Sequence, residues 1–125
     1  MKTILFVDDH EMLAQLSCEI LEMHGYHAIS ANSGAEALGK FDQGNFDAVV
    51  TDLRMDGMDG LELARLIHQR QADLPVILIT GYDPISDHKE IVTCLQKREL
   101  FPALIDELKL RIGESEPADD RLKSA

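Results

Sequence analysis

Cysteine is scarce in this chain: Cys18 and Cys94 are the only two, they form no CxxC pair, and they match no zinc spacing. That rules out a disulfide scaffold and suits a reducing cytoplasm, the expected location. Basic residues are also few, with 12 Lys+Arg against 23 Asp+Glu and a net charge of −11. This balance disfavours non-specific attraction to DNA or to an anionic membrane, and Arg70 and Lys97-Arg98 are too sparse for a nucleic-acid patch. No apolar run approaches a membrane span, and Met1-Lys2-Thr3 passes into a strand-like run without a signal-peptide pattern. His10, His24 and His27 lack an i,i+4 histidine partner and read as surface or cap residues. Internal repeats are absent. What remains is a single globular domain, with 45% apolar residues in 125.

Strand-like and helix-like stretches alternate along it. After Ile4, Leu5, Phe6 and Val7 comes a helical segment over 11–24, with Leu13, Leu16, Ile20 and Leu21 at helical spacing and Gly25 as its stop. A less apolar strand follows at 27–31. Ser33 and Glu36 fit a capping box for a helix through Leu38 and Phe41. Gln43-Gly44-Asn45 turns into a strand ending near Thr51, and Asp56-Gly57 and Asp59-Gly60 read as turn dipeptides. The next helix begins near Gly60, with Leu61, Ala64 and Ile67 toward the sheet. Pro75 opens a strand over 76–79, and another run covers 91–95. A last helix carries Leu104, Ile105, Leu108 and Ile112 on one face, with Pro102 near its first turn. Residues 1–113 form the domain, and 114–125 read as a polar, disordered tail. Five strands alternating with helices imply an α/β, doubly wound parallel sheet.

Polar residues follow four of the apolar runs: Asp8 and Asp9, then Asp52, then Thr80, then Lys97. An open α/β sheet places its site at that end of its strands. Singly, each residue has an ordinary use: Asp8 and Asp9 as helix-capping acids, Asp52 in a turn, Thr80 at a strand end, Lys97 as a solvated amine. Their joint placement outweighs those uses. Three neighbouring carboxylates repel one another, and a small oxygen-seeking cation such as Mg2+ relieves this. With a hydroxyl and an amine added, the set suits stabilising a phosphoryl group, Asp52 being the acceptor.

Val7-Asp8-Asp9, the stretch from Phe46 to Met55, Ile79-Thr80-Gly81-Tyr82 and Lys97 together resemble the response-regulator receiver domain of two-component signalling, a CheY-like family. The resemblance covers about residues 2–112. It implies a flavodoxin-like fold with five parallel strands in the order 2-1-3-4-5, which would set Asp8 and Asp9 beside Asp52. It further implies that Asp52 takes a phosphoryl group from a phosphohistidine, with Thr80 and Lys97 contacting it. Mg2+ would be held by Asp9 directly, by Asp8 mainly through water, by Asp52 and by the backbone carbonyl of Arg54. The implied partner is a sensor histidine kinase or a histidine phosphotransfer protein, with an unknown downstream protein, no direct nucleic acid and no membrane. Such a domain catalyses only its own phosphorylation and dephosphorylation.

Two other classes share parts of this pattern. A haloacid-dehalogenase-type phosphohydrolase needs a second aspartate two positions after its nucleophile, where this chain has Arg54. A flavin module needs a hydroxyl- and glycine-rich loop after the first strand, where this chain has Asp8-Asp9-His10-Glu11. Departures from the receiver pattern lie mostly on the output side. Asp56 stands where a proline is common, Arg98 replaces the proline after the lysine, and Cys94 replaces an aromatic residue. The interval from Thr80 to Lys97 is short, so the helix between the last two strands is expected to be shortened or missing. An altered output surface leaves a phosphate sink or adaptor as the alternative role.

Overall fold

Nine elements order the chain in a computed structural model that describes residues 2–80, 93–96 and 100–113, with side chains for 2–80 and 103–113. They are β1 (Thr3–Val7), α1 (Glu11–Met23), β2 (His27–Ala31), α2 (Gly34–Gln43), β3 (Ala48–Asp52), α3 (Gly60–Arg70), β4 (Val76–Thr80), β5 (Thr93–Gln96) and α4 (Leu100–Ile112). The strands form one parallel sheet in the order β2-β1-β3-β4-β5, as expected. The helix expected to be short or missing between β4 and β5, the position of Lys97 and the tail over 114–125 lie outside the described residues.

Alternation along the strands builds a core on each face of the sheet. Ile4 and Phe6 of β1 point toward α1 and α4, with Val50, Ile77 and Leu104. Leu5 and Val7 point the other way, toward α2 and α3, with Val49, Phe41 and Ile67. Every residue of β3 and β4 is buried, which is why those runs read as continuously apolar.

Helix ends follow local chemistry. Gly25, at φ 91°, ends α1 in a left-handed turn: its N–H reaches the Glu22 carbonyl and that of Tyr26 reaches Leu21. This is the Schellman arrangement, and buried Tyr26 packs with Leu21 beneath it. Ser33 Oγ accepts from the Glu36 N–H at 3.0 Å, but the Glu36 carboxylate turns to the N–H of Asn32 at 3.2 Å, one residue earlier than a capping box requires.

Helical spacing did not by itself fix which residues of α1 face the sheet, and on α3 it placed Ala64 and Ile67 correctly but not Leu61. On α1 the buried residues are Ala14, Ser17, Cys18 and Leu21, while Leu13 and Leu16 stay 43% and 51% exposed. The buried face thus combines three small side chains with Leu21, and Leu13 and Leu16 fall to its flank. On α3 the inward face is Gly60, Leu63, Ala64 and Ile67, which leaves Leu61 only partly covered. Asp59-Gly60 also proves to be a helix start, since Asp59 Oδ1 accepts from the Glu62 N–H at 2.9 Å. Gly57, at φ 77°, is the turn residue expected there.

Candidate functional site

Strand register brings the acids together. Val7 pairs with Thr51 across β1 and β3, so Asp8 and Asp52 are next-door successors on adjacent strands. Asp52 pairs with Ile79, which places Thr80 one residue further along β4. Thr80 in turn pairs with Gln96, the residue before Lys97 in the chain. One ligand oxygen from each of Asp8, Asp9 and Asp52 lies within 4.8 Å of the others. Among the described residues this is the one such group of metal-ligating side chains.

The two ends of the cluster differ in exposure. Asp8 and Asp52 are 6% and 5% exposed and Thr80 only 1%, whereas Asp9 faces solvent at the rim. Buried carboxylates crowded together are costly unless paired, and every donor here is a hard oxygen. A small divalent cation such as Mg2+ fits that donor set, because it takes one or two carboxylates and keeps several waters.

Backbone and side-chain bonds hold this end of the sheet. The Asp8 N–H donates to the Ala31 carbonyl at 3.0 Å, and Asp8 Oδ1 accepts from the His10 N–H at 3.0 Å. Asn32 Nδ2 donates to the Asp8 carbonyl at 3.0 Å. Past Asp52, the Leu53 N–H reaches the Ile79 carbonyl and the Gly60 N–H reaches the Leu53 carbonyl, both at 2.8 Å. A Cβ on Gly60 would run into the Asp52 carbonyl and into Leu78, so glycine alone lets α3 start this close to the strand end.

Arg54 lies in the loop after Asp52, where Leu53, Arg54, Met55, Gly57, Asp59 and Leu61 line an open cavity of about 460 Å³. Asn32 and Gly60 were not among the site residues read from sequence. Asn32 could have been found by the same rule that found the others, since it directly follows a strand, β2.

Comparison with known proteins agrees with this geometry. The family described as "Response regulator receiver domain" matches residues 4–101. The transcriptional regulatory protein GlrR of Escherichia coli is 34% identical over 122 residues, 94% of this chain, which spans 28% of GlrR's length. The response regulator receiver protein CpdR of Brucella abortus is 32% identical over 114 residues, covering 87% of this chain and 95% of CpdR. Among solved structures, TrrA of Thermotoga maritima in complex with Mg2+-BeF superposes at a TM-score of 0.80, with 35% identity over 90% of this chain and all of TrrA. TrrA is also known in complex with the histidine kinase ThkA. With fold, site and relatives in agreement, the chain belongs to the response-regulator receiver domain family of two-component signalling.

Proposed function

We propose that residues 1–113 act as a phospho-acceptor unit, with 114–125 as a polar tail, and that Asp52 is the acceptor. The observation that carries this reading is the meeting of three carboxylates around a buried strand end, with Thr80 one residue further along the adjacent strand. An oxygen of Asp52 forms the new O–P bond as the P–N bond of a donor phosphohistidine breaks, its electron pair staying on the imidazole nitrogen. Asp8, Asp9, Asp52 and the Arg54 carbonyl would hold Mg2+, which when bound offsets negative charge on the phosphoryl oxygens. The Thr80 hydroxyl donates to the product phosphate, and Lys97 supplies a positive charge. TrrA holds Mg2+-BeF and binds a histidine kinase, and the same partner class is proposed for this chain. Met12, Leu13 and Leu16 are exposed on the first turns of α1, the helix that follows Asp8 and Asp9 in the chain, and such an apolar strip suits a protein donor. Downstream, signalling runs through protein contact in the cytoplasm; among the described residues no helix is long and apolar enough to cross a membrane.

With Mg2+ and acetyl phosphate, intact-mass spectrometry should show one base-labile phosphoryl adduct, lost in Asp52→Asn and on chelation of the metal. Single-site labelling that persists in Asp52→Asn would remove the assignment.

A further inference from the structure

The turn that carries Asp8 and Asp9 is held from the side by a neighbour with no part in the chemistry above. The carbonyl of Asp8 and the N–H of Asp9 belong to one rigid peptide plane. Asn32 Nδ2 donates to that carbonyl at 3.0 Å, so it fixes how the plane is rotated. Asp9 is exposed and follows the plane, whereas Asp8 is also anchored by its own N–H and by its carboxylate. His10, the first cap of α1, makes no side-chain capping bond that would stiffen the turn from the other side.

Asn32 is itself braced. Its N–H donates to Glu36 Oε1 at 3.2 Å, and Glu36 Oε2 pairs with Lys40 Nζ at 3.0 Å. Lys40 Nζ returns to the edge strand by donating to the Ser30 carbonyl at 2.6 Å. The hydrogen bond from Lys40, then that from the Asn32 N–H, hold the Glu36 carboxyl below its ordinary range. Bonds thus run from α2 through Asn32 to the peptide between the two acids.

We propose that Asn32 is a positioning residue for the metal, orienting Asp9 through the Asp8–Asp9 peptide; this rests on the acidic cluster being the Mg2+ site. Losing the partner of a ligating atom typically costs about 10–100-fold in metal affinity. Asn32 acts on the backbone that carries Asp9 and not on a ligating atom, so the expected loss is roughly 3–10-fold.

The test compares Asn32→Ala and Asn32→Leu, the second keeping the branched shape without the donor. Arg70→Ala, which cuts an exposed ion pair to Asp42, serves as a control for lost stability alone. Mg2+ titrations followed by NMR should give a raised Kd in both Asn32 variants and an unchanged Kd in the control. In the metal-free Asn32 variants the Asp9 and His10 amide signals should broaden or shift as the peptide gains freedom. Asn32 variants that melt earlier yet bind Mg2+ as the wild type does would overturn the inference. A wild type that itself fails to respond to Mg2+ would remove the metal-site reading, and this inference with it.

Discussion

Cys18 lies between α1 and the sheet, only 9% exposed, in a position where a small apolar residue would serve as well. Burial, then the negative charge of Glu22, push its thiol up from 9.0 to about 11, with Lys40 offsetting part of the rise. The thiolate is the reactive form, so at pH 8 only about one thiol in a thousand is poised to react. Iodoacetamide at that pH should leave Cys18 intact in the folded protein and modify it in urea, as read by peptide mass spectrometry. Rapid alkylation of native protein would mean that α1 opens readily. The linkage has a definite sign. A raised thiol pKa leaves stability unaffected below the unfolded value near 9.0 and erodes it as pH climbs toward 11. Gly60 is constrained by space rather than charge, since its missing Cβ makes room for the Asp52 carbonyl.

Among the described helices α2 is the shortest, with ten residues, and it includes Gly34 and Gly39. The two glycines have opposite roles. A Cβ on Gly34 would meet Met58 from the loop after β3, whereas a Cβ on Gly39 would meet nothing within 4 Å. Gly39 therefore carries only the entropic cost of glycine in a helix, about 0.5–1 kcal/mol relative to alanine. Gly39→Ala should raise stability by that amount in urea unfolding with no change in slope; a loss of stability would mean that α2 needs a break there. The same elements show what could be read from the chain. Strand positions came through well because β1, β3 and β4 are buried on both faces, and unbroken runs such as Val76 to Ile79 leave little choice. Helix faces were less legible: on α3 only Leu61 was misplaced, and on α1 spacing alone cannot say that Ala14 and Ser17 are buried while Leu13 and Leu16 flank them. Close packing, a tertiary property, decided that outcome.

At the scale of the whole molecule, one end of the sheet concentrates acid in a chain already at −11. Asp8, Asp9 and Asp52 were legible because each follows an apolar run, and strand register then joined them. Asn32 was less legible because β2 is an edge strand with a weaker pattern and the residue acts through a backbone carbonyl. A cation that binds the folded cluster and ignores the unfolded chain must stabilise the fold. At a hundredfold excess over Kd the gain is about 2.7 kcal/mol, on the order of 10 °C in Tm for a domain of this size. Neutralising an acid has two opposed effects: it relieves repulsion in the metal-free protein and removes a ligand from the loaded one. Asp9 is exposed and, on the proposed site, would meet the metal directly, whereas Asp8 also receives the His10 N–H, a bond its asparagine can keep. Metal-free Asp9→Asn should therefore melt at or above the wild type, and its Mg2+-dependent rise should be the smallest of the three proteins. Asp8→Asn should fall between. Calorimetry with and without Mg2+ checks the order, and a full Mg2+ increment in Asp9→Asn would take Asp9 out of the metal site.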